Sequence, residues 1–388
     1  MSRRERRFFL FSLLLSGYSI RILGEVYLAE LFLALFSLKS IFTGRKVFFR
    51  GQFQLVPLIF LLWFLANLFS SLLNGKSLLL TLISVTTVVL TGLSFRAFYE
   101  FFTQYPDKIL MSLVLFSFGR LIGIVLDPLP YTAQLPWKFG YGEWVILLAL
   151  TTVAINRSIR MLWIFTPILI IISITNEART LALLTAGAAF VSFFGPKKRL
   201  TVAFLFAVTA LPITMYYGYL EIALGGHLGN TEVNRARLLA ESDLGPLAAR
   251  KEFIFSTRAF FDSPILGYGF EPEVKREIIA DGYQELISNG IKVDYAYLNE
   301  LPMHSFIMSA LVQGGIFAGI FWLFAIFNSL KAFIYTIEMK RFERPLAAFL
   351  SLALINRILF SPFGAYERLT AAILLGYLLT VRKIKESN

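Results

Sequence analysis

Long apolar runs recur along this 388-residue chain, most of them separated by only a few residues. A hydrocarbon core about 30 Å thick asks for about 20 mostly apolar residues per helix. Runs of that kind stand near 8 to 23, 25 to 43, 54 to 73, 78 to 99, 108 to 126, 142 to 156, 160 to 175, 179 to 195, 200 to 218, 303 to 330, 345 to 360 and 367 to 382. The expected fold class is therefore an all-α polytopic membrane protein of about twelve transmembrane helices. Hydrophobic residues at 57%, charged residues at 16% and a mean hydropathy of +0.68 agree that the bilayer is the solvent. Arg21, Glu25 and Glu30 interrupt the first two runs. The basic start followed by Phe8 to Ile20 has signal-peptide charge, but no small-residue cleavage site follows, so it reads as a retained first helix.

Basic residues set the expected orientation, because short cytoplasmic loops retain Lys and Arg. Arg3, Arg4, Arg6 and Arg7 begin the chain, and Arg45, Lys46 and Arg50 follow the second run. Later come Arg157 and Arg160, then Lys197, Lys198 and Arg199, then Lys340, Arg341 and Arg344, and finally Arg382, Lys383 and Lys385. A twelve-span count puts all of them on one side and both termini in the cytoplasm. The chain then divides into helices over 1–217, an outward loop over 218–302, and helices with a cytoplasmic tail over 303–388. That loop holds eight Lys and Arg against thirteen Asp and Glu, a net of −5, so with a total of +12 the rest of the chain carries +17. The basicity is topological and calls for no nucleic-acid partner. The absence of Cys excludes disulfides, thiol catalysis and Cys-ligated metal.

Within the loop, Phe253, Ile254, Thr257, Phe260 and Phe261 repeat at helical spacing and predict an amphipathic helix over 250–261. Arg250 falls in the middle of its apolar stripe and Arg258 at the edge. The helix should stop at Asp262-Ser263-Pro264. The turn that follows, Ile265-Leu266-Gly267-Tyr268-Gly269, has two glycines that let the backbone approach something closely, either as a plain turn or as a ligand loop. His304, one of two histidines, stands at the mouth of the tenth run and could take a proton from a hydroxyl near neutral pH, or serve as a polar cap. His227 reads as ordinary loop. Arg179 opens the eighth run, and Arg120 and Arg357 lie in the outer halves of the fifth and eleventh. With Arg250 and Arg258 these cations could form a guanidinium cluster for a phosphate or diphosphate; the alternative is separate ion pairs, with Glu177 and Glu367 as partners. There is no Asp-x-Asp, His-x-x-x-His or nucleotide-binding glycine loop, so neither metal nor cofactor is expected.

The order of these pieces resembles the O-antigen ligase and O-antigen polymerase superfamily of bacterial membrane glycosyltransferases. The resemblance rests on Glu177-Ala178-Arg179-Thr180, Arg250 with its aromatic helix running into Asp262 to Gly269, Met303-His304-Ser305-Phe306, and Val312-Gln313-Gly314-Gly315. Ten residues separate Arg258 from Gly269, a spacing familiar in the polymerase branch. The match covers about 175 to 320. Ser305 follows His304 where the family usually has Asn, and Glu177-Ala178 precedes Arg179 where Ser or Thr is commoner. The resemblance implies a GT-C-like fold in the bacterial inner membrane and metal-independent, inverting transfer of a glycan from undecaprenyl diphosphate to an acceptor hydroxyl. Arg179 and Arg250 would hold the diphosphate, with Arg258, Arg120 and Arg357 as further contacts, and His304 would act as base. The implied partners are the lipid-linked oligosaccharide, a glycan or lipid A core acceptor, membrane lipids, and a chain-length regulator and flippase. A polymerase is the first expectation, a ligase the second, and a lipid-linked oligosaccharide flippase, which should show repeated halves and broken helices, the alternative of another class.

Overall fold

The computed structural model describes residues 2–21, 24–44, 54–128, 130–193, 217–218, 220–226, 233–234, 236–237, 240, 252–289, 301 and 303–386. Its helices are α1 (Arg3–Leu14), α2 (Leu28–Phe42), α3 (Val56–Leu73), α4 (Leu78–Gln104), α5 (Ile109–Leu126), α6 (Pro130–Gln134), α7 (Gly142–Ile155), α8 (Ile159–Thr175) and α9 (Arg179–Phe190). The loop contributes α10 (Glu252–Asp262) and α11 (Arg276–Ser288), and the C-terminal part α12 (Phe306–Tyr335), α13 (Arg344–Phe360) and α14 (Ala365–Glu386). The chain is an all-α membrane protein: among the described residues five helices are long and apolar enough to cross a bilayer, namely Val56–Leu73, Leu78–Gln104, Pro106–Leu126, Trp137–Ile155 and Phe306–Glu338. Shorter apolar helices cover Ile159–Thr175 and Arg179–Phe190. The ninth expected run, 200–218, falls almost wholly outside the described residues.

Lipid-facing surface is legible from helical spacing. Ile164, Ile168 and Ile171 form an exposed apolar stripe on α8, and Leu58, Leu61, Phe69 and Leu72 are exposed on α3. By contrast α14 is buried at every residue from 368 to 380 and packs along α4, so it is a central helix enclosed by the others.

The first two expected spans differ from simple helices. At 1.5 Å per residue the 12 residues of α1 cover about 18 Å, short of a bilayer core. A β-hairpin follows it: β1 (Ser19–Arg21) pairs antiparallel with β2 (Glu25–Tyr27), with Arg21 opposite Glu25. The charged residues that break the apolar pattern thus mark a change from helix to strand. Glu30, buried in the first turn of α2, is matched by Arg368 of α14 at 2.9 Å.

The loop contains more order than one amphipathic helix. α10 and α11 pack together through Phe255 and Tyr283, whose ring centroids lie 5.0 Å apart, with Leu220, Ala223, Ala236, Ile279 and Leu286 completing a small apolar core. α11 escaped the sequence reading because its apolar positions, Ile279, Tyr283 and Leu286, are sparse among charges.

α12 is not continuous. Gly315 has φ 67° and ψ −165°, a region essentially confined to glycine, and the helix is broken there. The break lies nine residues from the helix start, about 13 Å into the bundle. A Cβ on Gly315 would lie 2.0 Å from the Ile265 carbonyl oxygen. Gly315→Ala should therefore lower stability by about 3 kcal/mol or more, whereas Gly364→Ala, whose Cβ meets nothing within 4 Å, should stay within about 0.5 kcal/mol. Thermal unfolding in detergent checks both, and equal melting temperatures would refute the assignment of the break.

Candidate functional site

The break in α12 frees the carbonyls of Val312 and Gln313, which in an intact helix would accept from residues 316 and 317. The turn after α10 takes them. The Tyr268 N–H donates to Val312 O at 2.8 Å, the Gly269 N–H to Gln313 O at 2.9 Å, and the Ser70 hydroxyl to Gln313 O at 2.6 Å. In return the Ile316 N–H donates to Pro264 O at 2.9 Å. α3 supplies the rest: Ser70 Oγ accepts from the Gly269 N–H at 2.8 Å, Ser71 Oγ from the Phe270 N–H at 3.3 Å, and Asn74 Nδ2 donates to Gly267 O at 3.1 Å. Lys76 closes the far side on Glu271 O and the Glu273 carboxylate, both at 2.8 Å.

The two loop glycines are thereby explained. A Cβ on Gly267, which has φ 73°, would lie 2.7 Å from the Gln313 backbone. What the backbone approaches is the chain's own broken helix, so the Ile265 to Gly269 turn is a clasp. The polar Ser-Ser-x-x-Asn-Gly-Lys end of α3 is the part the sequence reading missed, because Ser, Asn and Lys at a span end also suit an ordinary helix terminus.

A side-chain relay stiffens the clasp from outside. Tyr268 donates its hydroxyl to Asp262, which also takes Lys275 at 3.0 Å. These contacts hold the Asp262 carboxyl below its usual range, the Tyr268 hydrogen bond first and the Lys275 pair second. A carboxyl whose folded-state pKa is depressed adds stability that is present above its unfolded value, about 3.9, and is lost as pH falls through the folded value.

The cations of interest divide by location. Arg357 lies between Glu143 and Glu367, its charge matched within the bundle, with Glu367 the partner anticipated from sequence and Glu143 one that was not. Arg120 is fully buried in an aromatic box, its guanidinium carbon 4.2 Å from the Tyr366 ring centroid and 4.6 Å from that of Tyr27, with Phe116 and Trp144 completing the enclosure. One of its nitrogens donates to Tyr366 O at 2.8 Å. Arg258 points back into the loop, pairing with Glu285 of α11 at 2.8 Å and Asp281 at 3.8 Å. Arg250 and His227 lie outside the described residues.

Arg179 and His304 stand elsewhere. Arg179 is the first residue of α9, half-buried, after Glu177 with φ 58° turns the chain out of α8. It stands in the first turn of its helix, the end whose N–H groups favour an anion. His304 is exposed and directly precedes Ser305, the N-cap of α12, whose Oγ accepts from the Met308 N–H at 3.3 Å and donates to Ile358 O of α13 at 3.0 Å.

The last turn of α13 is the common neighbour. Ser305 bonds it at Ile358, and Phe253, near the start of α10, meets Phe360 with ring centroids 6.0 Å apart. On α9, Gly187 faces Leu352 of α13. Counting eight residues back along this antiparallel pair brings Arg179 level with residue 360. Among the described residues no group of three or more His, Asp or Glu is placed to hold a metal.

Arg357→Leu should destabilise the fold by about 3 kcal/mol, since it strands two carboxylates, while Arg357→Leu combined with Glu143→Gln and Glu367→Gln should recover most of the loss. Chemical denaturation in detergent measures this, and a neutral single variant would show that the ion-pair assignment is wrong. No family model, curated protein or solved structure matches the chain.

Proposed function

We propose that the chain is an inverting membrane glycosyltransferase that moves a glycan from undecaprenyl diphosphate to an acceptor hydroxyl, most directly as a polymerase of lipid-linked O-antigen or exopolysaccharide repeat units. In this reading it spans the bacterial inner membrane about twelve times with both termini cytoplasmic, in a GT-C-like arrangement. What supports it is that the start of α10, at Phe253, and the His304–Ser305 entry into α12 both meet the last turn of α13, while the packing of Gly187 on Leu352 runs the Arg179 end of α9 toward the same turn. They belong to three of the four segments on which the superfamily resemblance rests.

The chemistry follows from the residue types. The acceptor hydroxyl attacks the anomeric carbon as His304 takes its proton, and the bond from that carbon to the diphosphate oxygen breaks with both electrons leaving on the diphosphate. Arg179 and Arg250 offset the negative charge that builds there, and the two guanidinium forks match phosphate oxygens. A single displacement inverts the anomeric centre. Arg120, Arg357 and Arg258 already have partners within the protein, and their part is to hold the surrounding helices in place.

A ligase uses the same donor and differs in its acceptor, a lipid A core. The flippase alternative predicts broken helices whose freed backbone groups face a substrate or ion. α12 is broken, but its freed carbonyls are taken by Tyr268, Gly269 and Ser70, which counts against that use of the break.

His304→Ala and Arg179→Ala, expressed at normal level, should each cut glycan elongation in cells by about a hundredfold or more, leaving single repeat units on the carrier. Unchanged chain length and surface attachment would refute the glycosyltransferase reading. Full-length glycan retained on the carrier would mark a ligase, and units trapped on the cytoplasmic face a flippase.

A further inference from the structure

A cavity of about 310 Å³ opens between the hairpin, α3, α4, the clasp, the start of α12 and the start of α14. His304, Arg179, Arg120, Arg258 and Arg357 are absent from its lining. Its size falls at the low end of small-molecule sites, which run from about 300 to 1,000 Å³.

The walls combine two chemistries. Trp63, Phe270 and Phe363 present ring surface, with Trp63 and Phe363 centroids 5.7 Å apart. The lining also includes neutral polar residues, Asn67 of α3, Ser84 of α4 and Gln313 of α12. Asn67 is 5% exposed and Ser84 2%, yet Asn67 Oδ1 and Ser84 Oγ have no hydrogen-bond partner. Leaving such buried groups unpaired costs about 1–3 kcal/mol each. Both oxygens are closed to solvent, and a rotamer change of either side chain would bring its oxygen to a ligand hydroxyl in the cavity.

The charges narrow the ligand further. Arg368 lines the cavity, but it is occupied by the Glu30 carboxylate at 2.9 and 3.0 Å and the Glu25 carbonyl at 2.8 Å. The other charge-bearing residues in the lining are Glu25 and Glu271, both acidic. An acidic lining disfavours a diphosphate. Aromatic faces together with neutral amide and hydroxyl groups suit a flat, uncharged, polyhydroxylated ring.

We propose that this cavity is a binding subsite for a neutral glycosyl unit, separate from the diphosphate-binding seam at His304 and Arg179. The identity of the ligand as a sugar rests on the glycosyl-transfer reading; the existence of a site for a neutral hydroxylated ligand does not. One wall, Phe270 and Glu271, directly follows the clasp residue Gly269, so the contact that closes the break in α12 also shapes this pocket.

The test uses the full chain in nanodiscs, with intrinsic tryptophan fluorescence reporting through Trp63. Glucose, galactose and N-acetylglucosamine are titrated separately, with inorganic pyrophosphate as the anionic probe. At least one sugar should give a saturable change that pyrophosphate does not. Asn67→Leu and Ser84→Ala should each weaken it about tenfold, and His304→Ala should leave it unchanged. Ser84→Ala removes one oxygen and decides the matter if Asn67→Leu fails to fold. The proposal is overturned by the absence of any saturable sugar signal, by an affinity indifferent to a folded Ser84→Ala, or by pyrophosphate competing at the site. If sugar binding persists while His304→Ala leaves glycan length intact, the subsite stands and the transferase reading falls.

Discussion

Everything on the loop-bearing side of the bundle depends on how the break in α12 is closed. A helix interrupted inside a bilayer exposes backbone groups that lipid cannot satisfy, each costing several kcal/mol, and such breaks survive only where protein or water re-pairs them. Here protein does so. Pro264, Tyr268 and Gly269 exchange backbone hydrogen bonds with Ile316, Val312 and Gln313, and Ser70 buttresses the junction from α3. The loop is therefore anchored within the membrane-embedded part of the molecule, and Phe261 and Ile265, 72% and 69% exposed beside that junction, face outward as lipid-side residues would. Because α10 runs into the clasp and His304 leads into α12, one joint sets the positions of both.

Buried charge follows the same economy. Around the starts of α7 and α14, three cations, Arg120, Arg357 and Arg368, lie among three carboxylates, Glu143, Glu367 and Glu30, and the guanidinium without a carboxylate of its own, Arg120, is enclosed by π faces. Isolated charges in this setting are expensive, and paired ones fix helix positions more than they add net stability. This lattice gives Arg120, Arg357 and Arg368 a part in holding the bundle. Arg179 is half-buried at the first position of α9, and His304 is exposed just ahead of α12.

The sequence carried the helices well and the joints poorly. Apolar runs placed α3 to α5, α7 to α9 and α12 to α14 to within a few residues at most ends, since a bilayer leaves little freedom in length, and Phe253 to Phe261 gave α10 by periodicity. Glu367 was readable as a partner for one of the buried arginines because it opens a run at the end where Arg357 closes the preceding one. The hairpin at Ser19 to Tyr27 was not, since Arg21 and Glu25 looked like flaws in two helices. Nor was the break at Gly315, because Gly-Gly inside an apolar run is equally compatible with close helix packing. The role of Gly267 and Gly269 required knowing which backbone lay 243 residues from Ser70, a long-range fact that no local pattern encodes.

The claim that most needs testing is that the Asp262 to Gly269 turn is a permanent joint and not a loop awaiting ligand. Hydrogen exchange of a peptide covering residues 262–271, measured in nanodiscs without substrate, addresses it directly. The Gly267, Tyr268, Gly269 and Phe270 amides should exchange as slowly as those of the first half of α12. Fast exchange at loop rates, with protection appearing only on addition of a lipid-linked saccharide, would contradict the account and make the turn part of the binding site itself.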